Sequence, residues 1–266
     1  MSSSVTVVVT GLGLVTPVGL DRPSTWDALV AGRSGLATIS HFDAVGMGFE
    51  ATTAAEVKGF DPTVAISARE AKRMDRVTQL AVVAAQEALR DAGLLGEDGK
   101  LTGDCPAERA GVFVGSGVGG IGTVVEQHDV LRDRGPRRVS AFTIPMLLAD
   151  SVPGTVAIQH GLKGPNMAHL SACASGANAI GEAAEAIRRG AADLMVAGGA
   201  EAGIVPLAVA GFSNMGALSK WSGEPVLASR PFDLDRDGFV IGEGAGVLVL
   251  ERKDQALARG ARIYAE

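Results

Sequence analysis

The chain has 266 residues, 47% apolar and 20% charged, enough to bury one large α/β core or two modest ones. A formal net charge of −6 argues against general nucleic-acid binding, and no run of about 18 apolar residues predicts a membrane span. The opening Met1-Ser-Ser-Ser-Val5 lacks the basic and apolar regions of a secretory signal, and two cysteines in unlike settings, Cys105 and Cys173, fit a reducing cytoplasm better than a disulfide framework.

In chain order, the β-branched run Val5 to Thr10 predicts a strand, turned by Gly11-Leu-Gly13. Ser24 is an N-cap candidate for a helix through about Ala31, stopped by Gly32. Residues 36–66 read as irregular. Asp75 is placed to cap a long amphipathic helix over Arg76 to Ala92, ended by Gly93. Ala110 to Val114 predicts a buried strand running into a glycine-rich loop, 115–122, and a helix to about Arg134. Pro145 opens a further helix, expected to break near Pro153-Gly154 and to end before Gly161. A short strand over Asn166 to Leu170 leads to a helix over 175–189. Leu194 to Ala197 predicts a strand closed by Gly198-Gly199, Pro206 to Phe212 a short helix, and Val247 to Leu250 a strand followed by a helix to about Arg259. Strands alternating with helices predict a mostly parallel sheet with helices on both faces.

The most informative stretch is Ser171-Ala-Cys-Ala-Ser-Gly176. A small-residue turn carries Cys173 into a helix whose apolar stripe is expected at Ala177, Ile180, Ala184 and Ile187. The first turn of a helix offers unpaired N–H groups and the positive end of the dipole, a setting that favours the thiolate form of a cysteine. The same amides suit an oxyanion on a bound acyl group. The chemistry this points to is nucleophilic acyl transfer, against the alternative of a small buried packing cysteine. Cys105, in a loop-like Gly-Asp-Cys-Pro-Ala context, receives no role.

Other motifs point nowhere comparable. Gly115-x-Gly117-x-x-Gly120 has the spacing of a dinucleotide fingerprint, but a lone match is weak and backbone crowding explains it as well. The loop has no Gly-Lys-Ser/Thr ending, so it is not a P-loop. His41, His128, His160 and His169 lack metal-ligand spacing, so no metal is expected. His169 lies four residues before Cys173 on the expected strand and is not read as its base. Basic residues cluster at Arg69, Lys72 and Arg73 and again from Arg132 to Arg138, which would be ordinary solvated faces unless the partner is acidic.

A longer series of motifs spans nearly the whole chain. It comprises Val7-Val-Val-Thr-Gly-Leu-Gly13, Thr16-Pro-Val-Gly19, Ser24-Thr-Trp26, Arg73-Met-Asp75, Gly115-Ser-Gly117, Gly161-Leu-Lys-Gly-Pro165 and the Cys173 turn. It continues with Ala197-Gly-Gly-Ala-Glu201, Gly211-Phe212, Ala217-Leu-Ser219, Arg230-Pro-Phe-Asp233, Asp235-Arg-Asp-Gly-Phe-Val240 and Gly242-Glu-Gly-Ala-Gly246. In this order the motifs resemble the β-ketoacyl-acyl-carrier-protein synthases, specifically the type II elongating condensing enzymes of fatty acid synthesis.

The resemblance implies a thiolase-like αβαβα sandwich of two pseudo-duplicated α/β halves, working as a homodimer without a cofactor. Residues 1–251 would form the N-terminal half, and 252–266 would begin the connection to a C-terminal half. Cys173 would take an acyl chain from acyl carrier protein as a thioester, its own N–H forming part of the oxyanion hole. Malonyl carrier protein would then lose CO₂ and attack that thioester, giving a 3-oxoacyl product. Val118 matches a position lining the acyl pocket, and Phe212 one near the active-site entrance. Thr143 and Ile144 match acyl-pocket positions in the segment that crosses the dimer interface. Acyl carrier protein is acidic, and Arg69, Lys72, Arg73, Arg137 and Arg138 match the family's carrier-docking positions.

The sequence departs from the family in one large way. Two histidines, which drive malonyl decarboxylation, and a lysine lie in the family's C-terminal half, and no residue here corresponds to them. The chain is therefore expected to be part of a longer enzyme that needs that half to condense. A natural half with a complementing chain, or a non-condensing acyl-binding protein, are the alternatives. A half on its own is expected to expose the apolar face that meets its twin. A smaller departure is Ala149-Asp150, where the family usually has asparagine near the dimer contact. A chain-length-factor-like partner would be expected to carry glutamine at position 173, a biosynthetic thiolase to lack the Arg230-Pro-Phe-Asp233 context, and a polyketide ketosynthase shares the motifs.

Overall fold

Side chains alternate across the central strands and sort themselves onto two helical layers. A computed structural model describes residues 5–103 and 105–266. The strands are β1 (Val7–Val15), β2 (Leu36–Thr38), β3 (Thr53–Ala55), β4 (Ala110–Gly115), β5 (Asn166–His169), β6 (Leu194–Glu201) and β7 (Gly244–Arg252). The helices are α1 (Arg22–Val30), α2 (Ala68–Ala71), α3 (Arg76–Asp91), α4 (Ile121–Arg134), α5 (Thr143–Leu147), α6 (Ser151–His160), α7 (Ser175–Arg188), α8 (Pro206–Asn214) and α9 (Lys253–Ala258). Val112, Val114, Val196 and Val249 face one layer, where Leu80, Ala84 and Ala88 of α3 pack with Val152 and Val156 of α6. Phe113, Met195, Ala197 and Leu250 face the other, against Ala179, Ala183 and Ile187 of α7.

These strands form a five-stranded sheet in the order β1-β7-β6-β4-β5, and β2 pairs with β3 in a separate two-stranded sheet. β4 is parallel to both β5 and β6, whereas β7 is antiparallel to β6 and β1. The sheet is therefore mixed rather than mostly parallel. Helices cover both faces, as expected. Partners as distant as β1 and β7 leave no signal in the local alternation of elements.

Several local expectations hold at a residue level. Asp75 caps α3, accepting the Val77 amide at 3.1 Å. Its second oxygen accepts the amide and hydroxyl of Thr123 at 2.8 and 2.7 Å, tying α3 to the start of α4. Gly161 closes α6 in the left-handed region at φ 76°, with the Leu162 amide bonded to Ala157 O at 2.9 Å.

Others are displaced for physical reasons. The α1 cap is Asp21, whose carboxylate accepts the Ser24 amide at 2.7 Å. The break expected at Pro153-Gly154 falls instead at Leu148–Asp150, because Pro153 sits in the first turn of α6, where a missing N–H costs no helical bond. Residues 36–66 hold the small β2–β3 sheet. Of the stripe expected on α7, Ile187 is buried and Ile180 and Ala184 pack half-buried beside it, whereas Ala177 is exposed because the buried face is centred on Ala179, Ala183 and Ala186.

The glycines read as turns are mostly sites of close approach. β1 continues through Gly11 and Gly13 because α3 lies directly on them: a Cβ at Gly13 would overlap the Ala84 carbonyl. β6 likewise runs through Gly198 and Gly199 to Glu201, and a Cβ at Gly199 would stand 3.0 Å from the Gly176 Cα of α7. Gly211, by contrast, lies in α8 with nothing within 4 Å of its would-be Cβ. The two kinds of glycine should behave oppositely. In urea unfolding, Gly13→Ala is expected to lower stability by about 1–3 kcal/mol through overpacking. Gly211→Ala is expected to raise it by about 0.5–1 kcal/mol through helix propensity. Equal midpoints for the two variants would contradict this assignment.

Candidate active site

The parallel strands β4 and β6 end at Gly115 and Glu201, and the entry to α7 docks at that carboxyl edge. Open α/β sheets receive ligands at such edges. The docking needs glycine. A Cβ at Gly115 would overlap the Ser175 carbonyl, and Gly176 and Gly199 approach backbone to backbone.

Cys173 lies in a 3₁₀ turn, Ala172–Ala174, that leads directly into α7, one short turn ahead of the α-helix in which it was expected. The Ala174 amide donates to Ser171 O and the Ser175 amide to Ala172 O; neither bond uses the amide of Cys173. The Ser175 hydroxyl accepts the Ser171 amide at 2.9 Å and donates to Ala172 O at 2.7 Å. Ala172 is held at φ 51°, in the left-handed region that costs an L residue about 1–2 kcal/mol. Cys173 itself is exposed.

The turn opens onto a largely apolar cavity of about 810 Å³. Cys173, Val118 and Phe212 all line it, so three of the expected site residues come together. Phe212 meets Phe239 edge to face, with ring centroids 5.6 Å apart. Thr143 and Ile144 do not line this cavity. They sit on α5, where Ile144 is 62% exposed. The basic residues lie outside the cavity but close ranks. Arg69 and Lys72 flank the end of α2, while Arg137 and Arg138 occupy a 3₁₀ turn after α4. The Arg73 guanidinium stacks 4.6 Å over the ring of Phe142, four residues beyond Arg138 and just before α5, and all five basic side chains are exposed.

The sequence reading passed over two groups that the structure places in the wall. Residues 239–246 form one side of it. Within them, Glu243 is paired with Arg76 through bonds of 2.8 and 2.7 Å. Glu201 forms the other group, accepting the Gly117 amide at 2.7 Å and the Ser116 hydroxyl at 3.1 Å. Burial pushes the Glu201 carboxyl above its ordinary range, and those bonds draw it partly back. Its signal was an acid at the end of a strand that is otherwise apolar and glycine-bearing. The glycine-rich loop 115–122 is explained by crowding: Gly119 has φ 68°, and a Cβ at Gly120 would overlap Met146 O. Among the described residues no group of three His, Cys, Asp or Glu could hold a metal ion. None of the four histidines lines the cavity, and His169 packs instead on Phe113 with ring centroids 5.1 Å apart.

The profile of the β-ketoacyl synthase N-terminal domain matches residues 5–256. The chain belongs to the β-ketoacyl synthase family. A curated relative, 3-oxoacyl-acyl-carrier-protein synthase 2 of Synechocystis, is 46% identical over 260 residues, which is 98% of this chain and 61% of the relative. Among solved structures, a β-ketoacyl synthase from Burkholderia phymatum superposes with a TM-score of 0.85 at 35% identity, covering 98% of this chain and 62% of its own. A type II polyketide ketosynthase in complex with its acyl-carrier protein gives a TM-score of 0.83 at 32% identity with the same coverage. The fold is thiolase-like, and this chain spans about three fifths of its relatives' length. No helix among the described residues is long and apolar enough to cross a membrane.

The two thiols of this family member differ sharply. Cys105 is 6% exposed, and burial, with the charges of Asp193 and Glu251 added, pushes its thiol up to about 11. At about pH 8, iodoacetamide is expected to modify Cys173 and to spare Cys105, which holds on the order of a hundredfold less thiolate than an ordinary cysteine. Peptide mass spectrometry reads both sites. Labelling of Cys105 in the folded protein would show that its burial is wrong.

Proposed function

We propose that this chain is the acyl-accepting, N-terminal half of a 3-oxoacyl-acyl-carrier-protein synthase of fatty acid synthesis. The supporting observation is the exposed Cys173 at the entry of α7, on the rim of a largely apolar cavity large enough for an alkyl chain. In the first step the Cys173 sulfur attacks the thioester carbonyl of acyl carrier protein. A tetrahedral oxyanion forms beside the Cys173 amide, which the closing bonds of the turn leave available. Collapse breaks the carbon–sulfur bond to the carrier. The carrier thiol leaves with the proton that Cys173 gave up, and the acyl chain remains on the protein with its tail in the cavity.

Condensation follows in the full-length enzyme. Malonyl carrier protein loses CO₂, its carbanion attacks the acyl-Cys173 thioester, and a 3-oxoacyl chain two carbons longer is released with Cys173 freed. The polarising histidines and the lysine belong, by family resemblance, to the part of the fold that follows residues 1–251 and the connection begun by 252–266. Exposed large apolar side chains support such a mate: Phe232, Leu234 and Met215 are 99%, 94% and 74% exposed. Fatty acid elongation is the reading favoured by the curated relatives, which are 3-oxoacyl-acyl-carrier-protein synthases at 46–47% identity.

A homodimer is supported by the outer edge strand, β5, where Met167 is 54% and neighbouring Leu170 60% exposed. α5 packs on α6 and α6 on β5, so Thr143 and Ile144 stand on the same flank, placed to reach a partner's acyl pocket. Two free cysteines suit a cytoplasmic setting. The carrier's acidic surface would meet Arg69, Lys72, Arg73, Arg137 and Arg138.

Incubation of the 266-residue chain with long-chain acyl carrier protein is expected to add one acyl mass, absent in Cys173→Ala, with no turnover of malonyl carrier protein. A gain that survives Cys173→Ala would defeat the assignment of the nucleophile. Charge reversal, Lys72→Glu with Arg73→Glu, is expected to weaken carrier binding on the order of tenfold at low salt and less at high salt. Unchanged affinity at low ionic strength would remove these residues from the docking face.

A further inference from the structure

Glu201 is one of two carboxylates in the largely apolar wall; Glu243 is paired with Arg76, whereas the hydrogen bonds of Glu201 lead to the nucleophile turn. The carboxylate accepts from the Gly117 amide at 2.7 Å and from the Ser116 hydroxyl at 3.1 Å. The Ser116 hydroxyl accepts the Gly119 amide at 2.9 Å, so one acid organises the loop from 116 to 119. The single proton of the Ser175 hydroxyl is shared between Ala172 O at 2.7 Å and, at longer range, the Ser116 carbonyl at 3.3 Å. A Cβ at Gly117 would stand 2.8 Å from Glu201 Oε2 and 3.6 Å from Ala172 O, so the loop is gripped between acid and turn. Left-handed backbone at a residue such as Ala172 persists only where the surroundings over-determine it.

We infer that Glu201 is a positioning residue for acyl transfer: through Ser116 and Ser175 it fixes the Ala172–Cys173 peptide, so that the Cys173 amide stands where the thioester oxyanion develops. The inference rests on the reading of Cys173 as the nucleophile. A half-buried carboxylate is a costlier way to fill a wall than an apolar side chain of the same size. What it supplies in return is direction, since charge-assisted bonds to an amide and a hydroxyl fix the loop in a way that packing does not. Removing it leaves the cavity in place but frees the loop, the Ser116–Ser175 contact and the strained peptide behind them.

Two variants test the chain of contacts at separate points. Glu201→Gln keeps the shape and loses the charge, and Ser175→Ala cuts the link to Ala172. Each is assayed in two ways, by acylation of Cys173 from long-chain acyl carrier protein and by alkylation of the same thiol with iodoacetamide. Buried Cys105 serves as internal reporter of unfolding. Thioester attack passes through an oxyanion, whereas alkylation is a displacement at carbon and does not. Both variants are expected to acylate at least about tenfold more slowly, to alkylate within about twofold of wild type, and to leave Cys105 unmodified. Wild-type acylation rates in the variants would overturn the inference. So would equal losses of acylation and alkylation, or exposure of Cys105, either of which gives Glu201 a role in stability alone. If the unaltered chain alkylates at Cys173 but is never acylated, the reading of the nucleophile falls and the inference with it. Normal acylation of the unaltered chain alongside normal variants removes the inference only.

Discussion

The contact on which the site depends is between backbones with no side chains in between. Gly199 at the end of β6 and Gly176 in the first turn of α7 stand so close that a Cβ on either would come within 3.0–3.3 Å of the other's Cα. Gly115 makes the same concession to Ser175 from the end of β4. Glycine gives up side-chain packing and costs entropy on folding. In exchange the helix seats directly on the sheet, and that seating puts the Ser175 hydroxyl within reach of both Ser116 and Ala172. Side chains at these positions would hold α7 off the strands and separate the Cys173 turn from the loop that faces it.

The same economy runs through the core. Aromatic residues are 4% of the chain, and the layer between the sheet and α7 is filled largely by alanines. Small side chains allow short distances between layers, and short distances make backbone geometry the main instrument of precision. The larger apolar groups, Val118, Phe212 and Phe239, appear where the layers part and the cavity opens.

What the sequence disclosed follows from whether its signals were local. The Asp75 cap, the long helix behind it and the Cys173 turn were legible because spacing of a few residues decides them. The role of Gly11, Gly13, Gly198 and Gly199 was not, because a glycine that ends a strand and one that lets a helix lie on it look alike until the helix is seen. The stripe on α7 is legible at Ile180, Ala184 and Ile187, and fails only at Ala177, a small residue near the helix start that carries little signal of its own. Asp21 and Ser24 are both good caps three residues apart, and only the bond between them shows which one caps. The antiparallel placement of β7 and the gathering of Val118, Cys173 and Phe212 in one wall are long-range facts. The family resemblance supplied the second, where residue chemistry alone would have stopped at the thiol.

Two features that each lower stability meet an exposed thiol, Cys173, at the rim of one cavity: a left-handed alanine at 172 and a half-buried acid at 201. Several such groups elsewhere are neutralised or sealed away, although Phe232, at φ 66° and 99% exposed, carries the same backbone strain outside this cavity. Glu251 is buried but clasped by Arg259 through bonds of 2.9 and 2.6 Å, Asp193 is held by Arg109 through bonds of 2.8 and 2.9 Å, and Cys105 is sealed away from solvent. Departures from the most stable choice concentrate where a protein does chemistry. Here the acid and the strained Ala172 are also linked by hydrogen bonds through Ser116 and Ser175, next to Cys173 in the chain. Independent packing accidents would not be wired together, and under the proposed function the wiring would hold the Cys173 amide where a thioester oxyanion forms.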